Sequence, residues 1–462
     1  MIKYPCMWGT ALSAGQSEGG CHKGNKGYSI GDTQPRERER CFKRYPLPDP
    51  DTYYAMQKGV EFYEYYESDL ALLKELGAQC FRMSIAWCRI FPHGDDEIPN
   101  EEGLAYYDKI FDLLKKYEIQ PIVTLSHLEI PYALFEKYDG WENKKWISAY
   151  VRYAEVCFKR YSDRVHTWIT FNELNMALYL PLSVGVGADR NEDKESCCWQ
   201  AVHNMLTANA MAVKIGKSVS DKNEIGAMIA YSPVYPKTCN PEDVLKASEI
   251  RNNALIIGDV LVRGAYSEYA VNKFEREGIR LAISEEEKKL LRDERIDFLA
   301  TSYYNSIVAS SDPGEAKASG NLFGGVRNPF LTESEWGWTI DPIGIRICLR
   351  ELYERYQLPI MIVENGLGAK DELAAGQIHD IYRITYLREH IREVLKAMDE
   401  GVNVKAYTMW SFLDLVSASS GEMKKRYGLV YVDLDDEGNG SLKRIPKDSF
   451  YWYQNFLKSQ CL

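Results

Sequence analysis

Short apolar runs alternate along this chain with longer segments whose apolar residues recur every three or four positions. The short runs predict β-strands: YPCMWGTAL (4–12), CFRMSIAW (80–87), IQPIVTLSH (119–127) and VHTWITFNE (165–173). They continue with EIGAMIAYS (224–232), IDFLATSYY (296–304), IMIVENG (360–366) and VNVKAYTMW (402–410). The helical period covers 65–77, 103–117, 144–161, 198–218, 343–356 and 380–400. Strands separated by helices imply parallel pairing through crossover connections. Eight such units fit an α/β fold, a closed (β/α)8 TIM barrel with its active site at the C-terminal ends of the strands. A doubly wound open sheet is the rival architecture, and no GxGxxG turn follows the first strand to support it. No low-complexity linker divides the chain, so residues 1–462 are expected to form one domain.

Composition narrows the function classes. The chain is 45% hydrophobic and 27% charged, the balance of a soluble enzyme. No run reaches the roughly 20 apolar residues of a membrane span, and MIKYPCMWGT has no leader pattern. A cytoplasmic protein with no membrane partner is expected. A net charge of −11 argues against nucleic acid as a partner. Eleven cysteines without a CxxC pair read as reduced, small hydrophobes. No metal or cofactor motif is present, and the oligomeric state is left open. Of two charged segments, PRERER (35–40) predicts a solvated loop. EEEKKLLRDER (285–295) predicts an exposed helix with opposite charges at helical spacing.

The candidate chemistry sits at the strand ends. Gln16 and Glu18 follow the first strand. The later tips carry Arg82 and Trp87, His127, Asn172 with Glu173, Tyr303 with Tyr304, Glu364, and Trp410. Taken singly, each has an ordinary reading. An acid after a strand is commonly a salt-bridge partner, and a lone histidine or tryptophan commonly belongs to the core. Seven of the eight strands, however, place polar or aromatic groups at the same end, which a barrel gathers into one mouth. Two carboxyls among aromatics suit sugar chemistry. A glycosidase needs one carboxyl protonated and one ionised, and like charges close together push the two pKa values apart.

The same stretches resemble a known family. TFNELN and IVENGLG are similar to the two catalytic signatures of glycoside hydrolase family one. MWGTALSAGQSEGG, CFRMSIAWCRIFP, VTLSHLEIPYAL, SEWGWTIDPIGIR and MWSFLDL follow in the family's order over nearly the whole chain. The resemblance implies a retaining mechanism, with Glu173 as general acid/base and Glu364 as nucleophile. In such enzymes the two carboxyls stand about 5–5.5 Å apart. It also implies that Gln16, His127, Asn172 and Trp410 hold the sugar, that Trp338 binds substrate, and that Tyr304 hydrogen-bonds the nucleophile. Ser302 stands where many members have Asn, a departure that leaves the partner of Tyr304 open.

The end of the eighth strand bears on substrate. Plain β-glucosidases of the family carry a Glu-Trp pair there, whereas this chain reads WSFLDLVSASSGEMKKRYGLVYVD. Ser417 or Ser419, Lys425 and Tyr427 suit an anionic group on the sugar's O6. Lys425 and Tyr427 are two apart, so in extended chain they face one side. The pattern resembles the 6-phospho-β-glucosidase branch, and the small Ala418 favours gluco over galacto. The expected partner is a small-molecule phosphorylated β-glucoside, such as phosphorylated cellobiose or an aryl β-glucoside. The alternatives are a plain β-glucosidase, a 6-phospho-β-galactosidase, and a non-catalytic sugar-phosphate-binding barrel. Apart from the resemblance, GEMKKRYG reads as a basic surface loop.

Overall fold

The structure, a computed structural model, describes residues 5–37, 39–315, 318 and 322–459. Tyr4 of the first predicted strand, Arg38 of the charged run and Cys461 lie outside the described residues. All eight predicted strands form: β1 (Met7–Leu12), β2 (Cys80–Ser84), β3 (Gln120–Ser126) and β4 (Thr167–Phe171), then β5 (Glu224–Ala230), β6 (Leu299–Ser302), β7 (Ile360–Glu364) and β8 (Val404–Trp410). They close into a barrel in the order β1-β8-β7-β6-β5-β4-β3-β2, with every neighbouring pair parallel. Most strands are shorter than their apolar runs predict. The polar residues at their ends leave the ladder for the loops of the mouth.

Period-two alternation divides the side chains between two cores. Cys80, Ile122, Ile169, Met228, Met361, Val363 and Ala406 fill the barrel interior. Their sequence neighbours pack outward beneath the helices, as Trp168 does edge-on against Phe158.

The six predicted helical segments are α1 (Phe62–Leu76), α2 (Glu101–Lys116), α3 (Lys145–Tyr161), α4 (Lys194–Val219), α6 (Pro342–Tyr356) and α7 (Ile381–Asp399). The apolar period missed α5 (Pro241–Arg263) and α8 (Asp448–Ser459). Helix α5 does carry boundary signals. The Asn240 side chain caps it, Pro241 starts it, Glu242 and Asp243 sit in its first turn, and Gly264 ends it. The acidic segment near 285 forms the short helix Glu285–Asp293, opened by a capping box between Ser284 and Glu287.

Two loop expectations need correcting. The charged run 35–40 is not solvated throughout: Arg36 and Glu39 are exposed, but a 3-10 turn at Arg40–Phe42 carries Arg40 fully inside. The segment GEMKKRYG is not a surface loop either, because Met423, Lys425, Arg426 and Tyr427 are all buried. Among the described residues no helix is long and apolar enough to cross a membrane, and all ten described cysteines are free.

Candidate active site

The loops after the strands surround one cavity at the C-terminal mouth of the barrel. The residues given catalytic, sugar-binding or phosphate-binding roles from the sequence line it, with the exception of Lys425. Glu173 follows β4 in the left-handed backbone region, with φ of 36°. Glu364 ends β7, where the ladder to β6 slips by one residue: Thr301 pairs with Ile362, but Ser302 pairs with Glu364. Met361 and Val363 face the barrel interior while Ile362 faces the helices. Strict alternation would send Glu364 outward with Ile362. The slip re-aims its carboxyl into the mouth.

The two carboxyls meet different surroundings. Glu364 accepts hydrogen bonds from Arg82 Nη1 at 2.5 Å and from the Tyr304 hydroxyl at 2.8 Å. The partner of Tyr304 left open by the sequence is therefore Glu364. Arg82 also donates to Asn172 Oδ1 at 2.5 Å and to Thr124, so one buried guanidinium on β2 links β3, the end of β7 and the residue just past β4. Glu173 accepts a hydrogen bond from Ser302 Oγ at 2.5 Å. Burial first, and the charge of Glu364 second, push the Glu173 carboxyl up to about 7, against the pull of Ser302 and Arg82. A carboxyl that holds its proton up to about pH 7 thus shares the cavity with one held by two strong donors. That pair can protonate a leaving group on one side of a reacting carbon while attacking from the other.

The neighbouring groups offer contacts for a polyol. His127 stacks on Trp410 with ring centroids 6.0 Å apart. Burial and the charge of Arg82 hold its imidazole well below the ordinary histidine range, so it is neutral. The Gln16 amide is fixed by Ser13 and by the carbonyl of Val416.

On the β8 side, Ser417 and Ser419 line the cavity with their hydroxyls 3.5 Å apart. Lys425 lies just behind the lining, only 4% exposed. Its ammonium sits 4.1 Å from the ring centre of Trp338, 5.5 Å from that of Trp336 and 5.6 Å from that of Tyr427. Among the described residues no carboxylate pairs with it, and burial pushes it down to about 8. Gly368 gives this lysine its room, since a Cβ there would stand 2.8 Å from Lys425 Cε. Arg426, one position on, turns the opposite way to Asp414.

Three tip residues do not belong to the cavity. Glu18 is buried against Arg89 and the Tyr107 hydroxyl. Trp87 begins a short helix and stacks on Tyr153 in the aromatic core between strands and helices. Tyr303 points outward and donates to the carbonyl of Asp341. In each case a residue past the end of the ladder (Tyr303 by one position, Trp87 by three, Glu18 by six) turns away from the mouth, which tip position alone does not reveal.

Residues 3–461 match the model of the family described as Glycosyl hydrolase family 1. The chain belongs to glycosyl hydrolase family 1. Within family 1, a Bacillus subtilis (strain 168) protein named aryl-phospho-beta-D-glucosidase BglH is 47% identical over 454 residues, covering 98% of this chain and 96% of that protein. A Clostridium longisporum protein named 6-phospho-beta-glucosidase is 44% identical over 458 residues, with coverage of 98% and 96%. Among solved structures, the family 1 b-glucosidase from Thermotoga maritima superposes with a TM-score of 0.84 at 31% identity, covering 100% of this chain and 99% of that one.

Several supporting residues of this family 1 site escaped the sequence reading. Ser302, a departure from the Asn of many members, holds Glu173. Asn365 donates to the carbonyl of Tyr303 and the Tyr386 hydroxyl and accepts from Tyr407, which locks the turn after Glu364. Glu129 accepts from the Gly15 amide and the Ser84 hydroxyl, fixing the loop that bears Gln16. Asn365 and Glu129 lie inside the motifs IVENGLG and VTLSHLEIPYAL, the only sequence signal they carried.

Proposed function

We propose that this family 1 hydrolase cleaves 6-phospho-β-D-glucosides with retention of configuration, giving glucose 6-phosphate and the aglycone. The observation that carries the proposal is the buried ammonium of Lys425 behind the two serines, with which no carboxylate among the described residues pairs. A buried cation without a counter-ion is costly, and a phosphate bearing −1.5 to −2 charges near pH 7 supplies one. Ser417, Ser419 and Tyr427 offer hydroxyl donors beside it. Ala418, small and part of the cavity lining, leaves space at the sugar's far end. Met176, Leu180, Val184, Leu322 and Phe323 add an apolar stretch of wall that suits an aryl aglycone or the C–H face of a second sugar.

In this reading Glu173 protonates the glycosidic oxygen while a Glu364 oxygen attacks the anomeric carbon, forming a glycosyl-enzyme. The ionised Glu173 then takes a proton from water, which hydrolyses that intermediate. Tyr304 keeps its proton, since burial and the charge of Glu364 raise its pKa well above the ordinary value. It therefore serves as a donor that steadies the attacking carboxylate.

The test compares an aryl 6-phospho-β-glucoside with the same glucoside lacking phosphate. Wild type is expected to prefer the phosphorylated substrate strongly. Lys425→Ala is expected to lower kcat/KM on it by about one to two orders of magnitude, the worth of a charge-assisted hydrogen bond, with little change on the plain glucoside. The lysine loses its charge as pH rises through about 8, so KM for the phosphorylated substrate should climb above that pH while KM for the plain one stays level. A wild type that favours the plain glucoside overturns the proposal. A preference for the 6-phosphogalactoside would move the assignment to the galacto branch.

The hydrogen bond from Ser302 favours the ionised form of Glu173. Ser302→Ala should accordingly raise the Glu173 pKa further and shift the basic limb of the kcat/KM profile to higher pH. An unmoved limb would show that this bond does not tune the acid.

A further inference from the structure

Arg40 is the largest unexplained charge near the cavity. Its side chain is fully buried, and among the described residues Nε and Nη1 have no hydrogen-bond partner. Nη2 meets the sulfur of Met56 at 3.1 Å, and the Cys41 thiol and the Tyr45 hydroxyl are the nearest titratable groups. Asp32, whose field reaches it, is already bound by Lys26 and Ser29. Among the described residues no carboxylate lies within ion-pairing distance. Burial accordingly pulls the guanidinium pKa down. An arginine stays charged in proteins even so, and a buried, unpaired charge of this kind is destabilising.

The position of this charge suggests its use. Met56, which Arg40 touches, lines the cavity. Cys41, the next residue, also lines it and directs its thiol at the carbonyls of Ala418 and Ser419, at 3.5 and 3.7 Å. Arg40 Nη1 lies under Gly421. A Cβ at that residue, whose φ is +73°, would come within 2.4 Å of Nη1. Gly421 closes the turn that begins at Ser417, with its amide donating to the Ser417 carbonyl. The guanidinium therefore backs the same turn whose two serines line the cavity, from a loop on the far side of the chain.

We propose that Arg40 is a further specificity-determining residue, a second cation that favours the 6-phosphate from behind the Ser417–Gly421 turn. The inference rests on the phosphorylated-substrate reading above. Arg40 acts across one layer of side chains, so its effect is electrostatic and present equally in ground and transition states. Such uniform binding appears in KM and leaves kcat nearly unchanged. Across a low-dielectric layer, one unit charge acting on a dianion is worth roughly tenfold or more in affinity.

The experiment uses Arg40→Met and Arg40→Lys in the full chain, with both aryl glucosides, inorganic phosphate as a competitive inhibitor, and thermal melting. Arg40→Met is expected to raise KM for the phosphorylated glucoside about tenfold, to weaken phosphate inhibition in parallel, and to leave the plain glucoside unchanged. Its melting temperature should hold or rise, because an unpaired buried charge has gone. Arg40→Lys should keep most of the selectivity. Arg40→Gln, closer in shape, carries the same comparison if the methionine variant does not accumulate. A merely structural arginine would lower the melting temperature and affect both substrates alike, and that result overturns the proposal. Unchanged KM for the phosphorylated substrate overturns it too, provided wild type still prefers that substrate. Loss of the preference in wild type itself would instead strike the reading of Lys425 and, with it, this one.

Discussion

Glu364→Ala is expected to lower kcat/KM by roughly five to six orders of magnitude, the scale seen when a covalent nucleophile is removed. The expectation follows from geometry. Glu364 is the carboxyl that receives both the Arg82 guanidinium and the Tyr304 hydroxyl, and no other group in the cavity is held in that way among the described residues. A small anion such as azide should fit the space left by the side chain and attack the anomeric carbon in its place. The product would then be a glycosyl azide of inverted configuration, made at a rate that rises with azide concentration. Near-normal turnover by the variant, or rescue giving the retained anomer, would remove Glu364 from the nucleophile's role. Because the substitution also removes a charge that faces Glu173, the pKa of Glu173 should fall from about 7 toward the ordinary carboxylate range. The fall should be partial, since burial is the larger cause.

Glu173→Gln should cost most where the leaving group is poor. General acid–base catalysis is worth about 10²- to 10⁴-fold, so a phosphorylated alkyl glucoside or disaccharide should lose that much. A nitrophenyl leaving group departs without protonation, so its glycosyl-enzyme should still form. It should then accumulate, because no base remains to activate water, and a burst of phenolate followed by slow turnover is the expected trace. The pH profile supplies an independent reading. The raised pKa means that the acid form is present below about pH 7 and is lost as pH rises through that value. Wild-type kcat/KM should thus fall on the alkaline side with a midpoint near 7, and Glu173→Gln should lack that limb. An equal loss over all leaving groups with no burst would speak for a structural role instead.

Much of this protein was legible before any coordinates. All eight barrel strands and six of the flanking helices followed from apolar periodicity, because the period of a strand or helix is a local property of the chain. The two carboxyls and the polar and aromatic groups around them followed from strand-end position together with the family's motifs, whereas the apolar wall of the cavity did not. The errors cluster where position along a strand stops predicting direction. Trp87, Glu18 and Tyr303 occupy tips yet turn into the surrounding layers, since past the last ladder bond the backbone no longer alternates. The charged run at 35–40 read as solvent-facing because charges usually are, and nothing local signalled that Arg40 would be carried inside by a turn.

The sequence by itself determined the barrel, the order of its parts and which strand ends carry the two carboxyls, because these depend on hydrophobic period and residue type. Only the tertiary structure decided what those acids can do. A one-residue slip between β6 and β7 aims Glu364 inward, and a left-handed backbone carries Glu173. Bringing the two carboxyls into one enclosure then raises one pKa and not simply the concentration of acid. The same holds for the cations. Lys425 is an ordinary surface lysine by residue type. It becomes a candidate phosphate ligand because Trp336 and Trp338, from a distant loop, cover it. Desolvation is a property of the folded surroundings, and so are the charge states on which this chemistry depends.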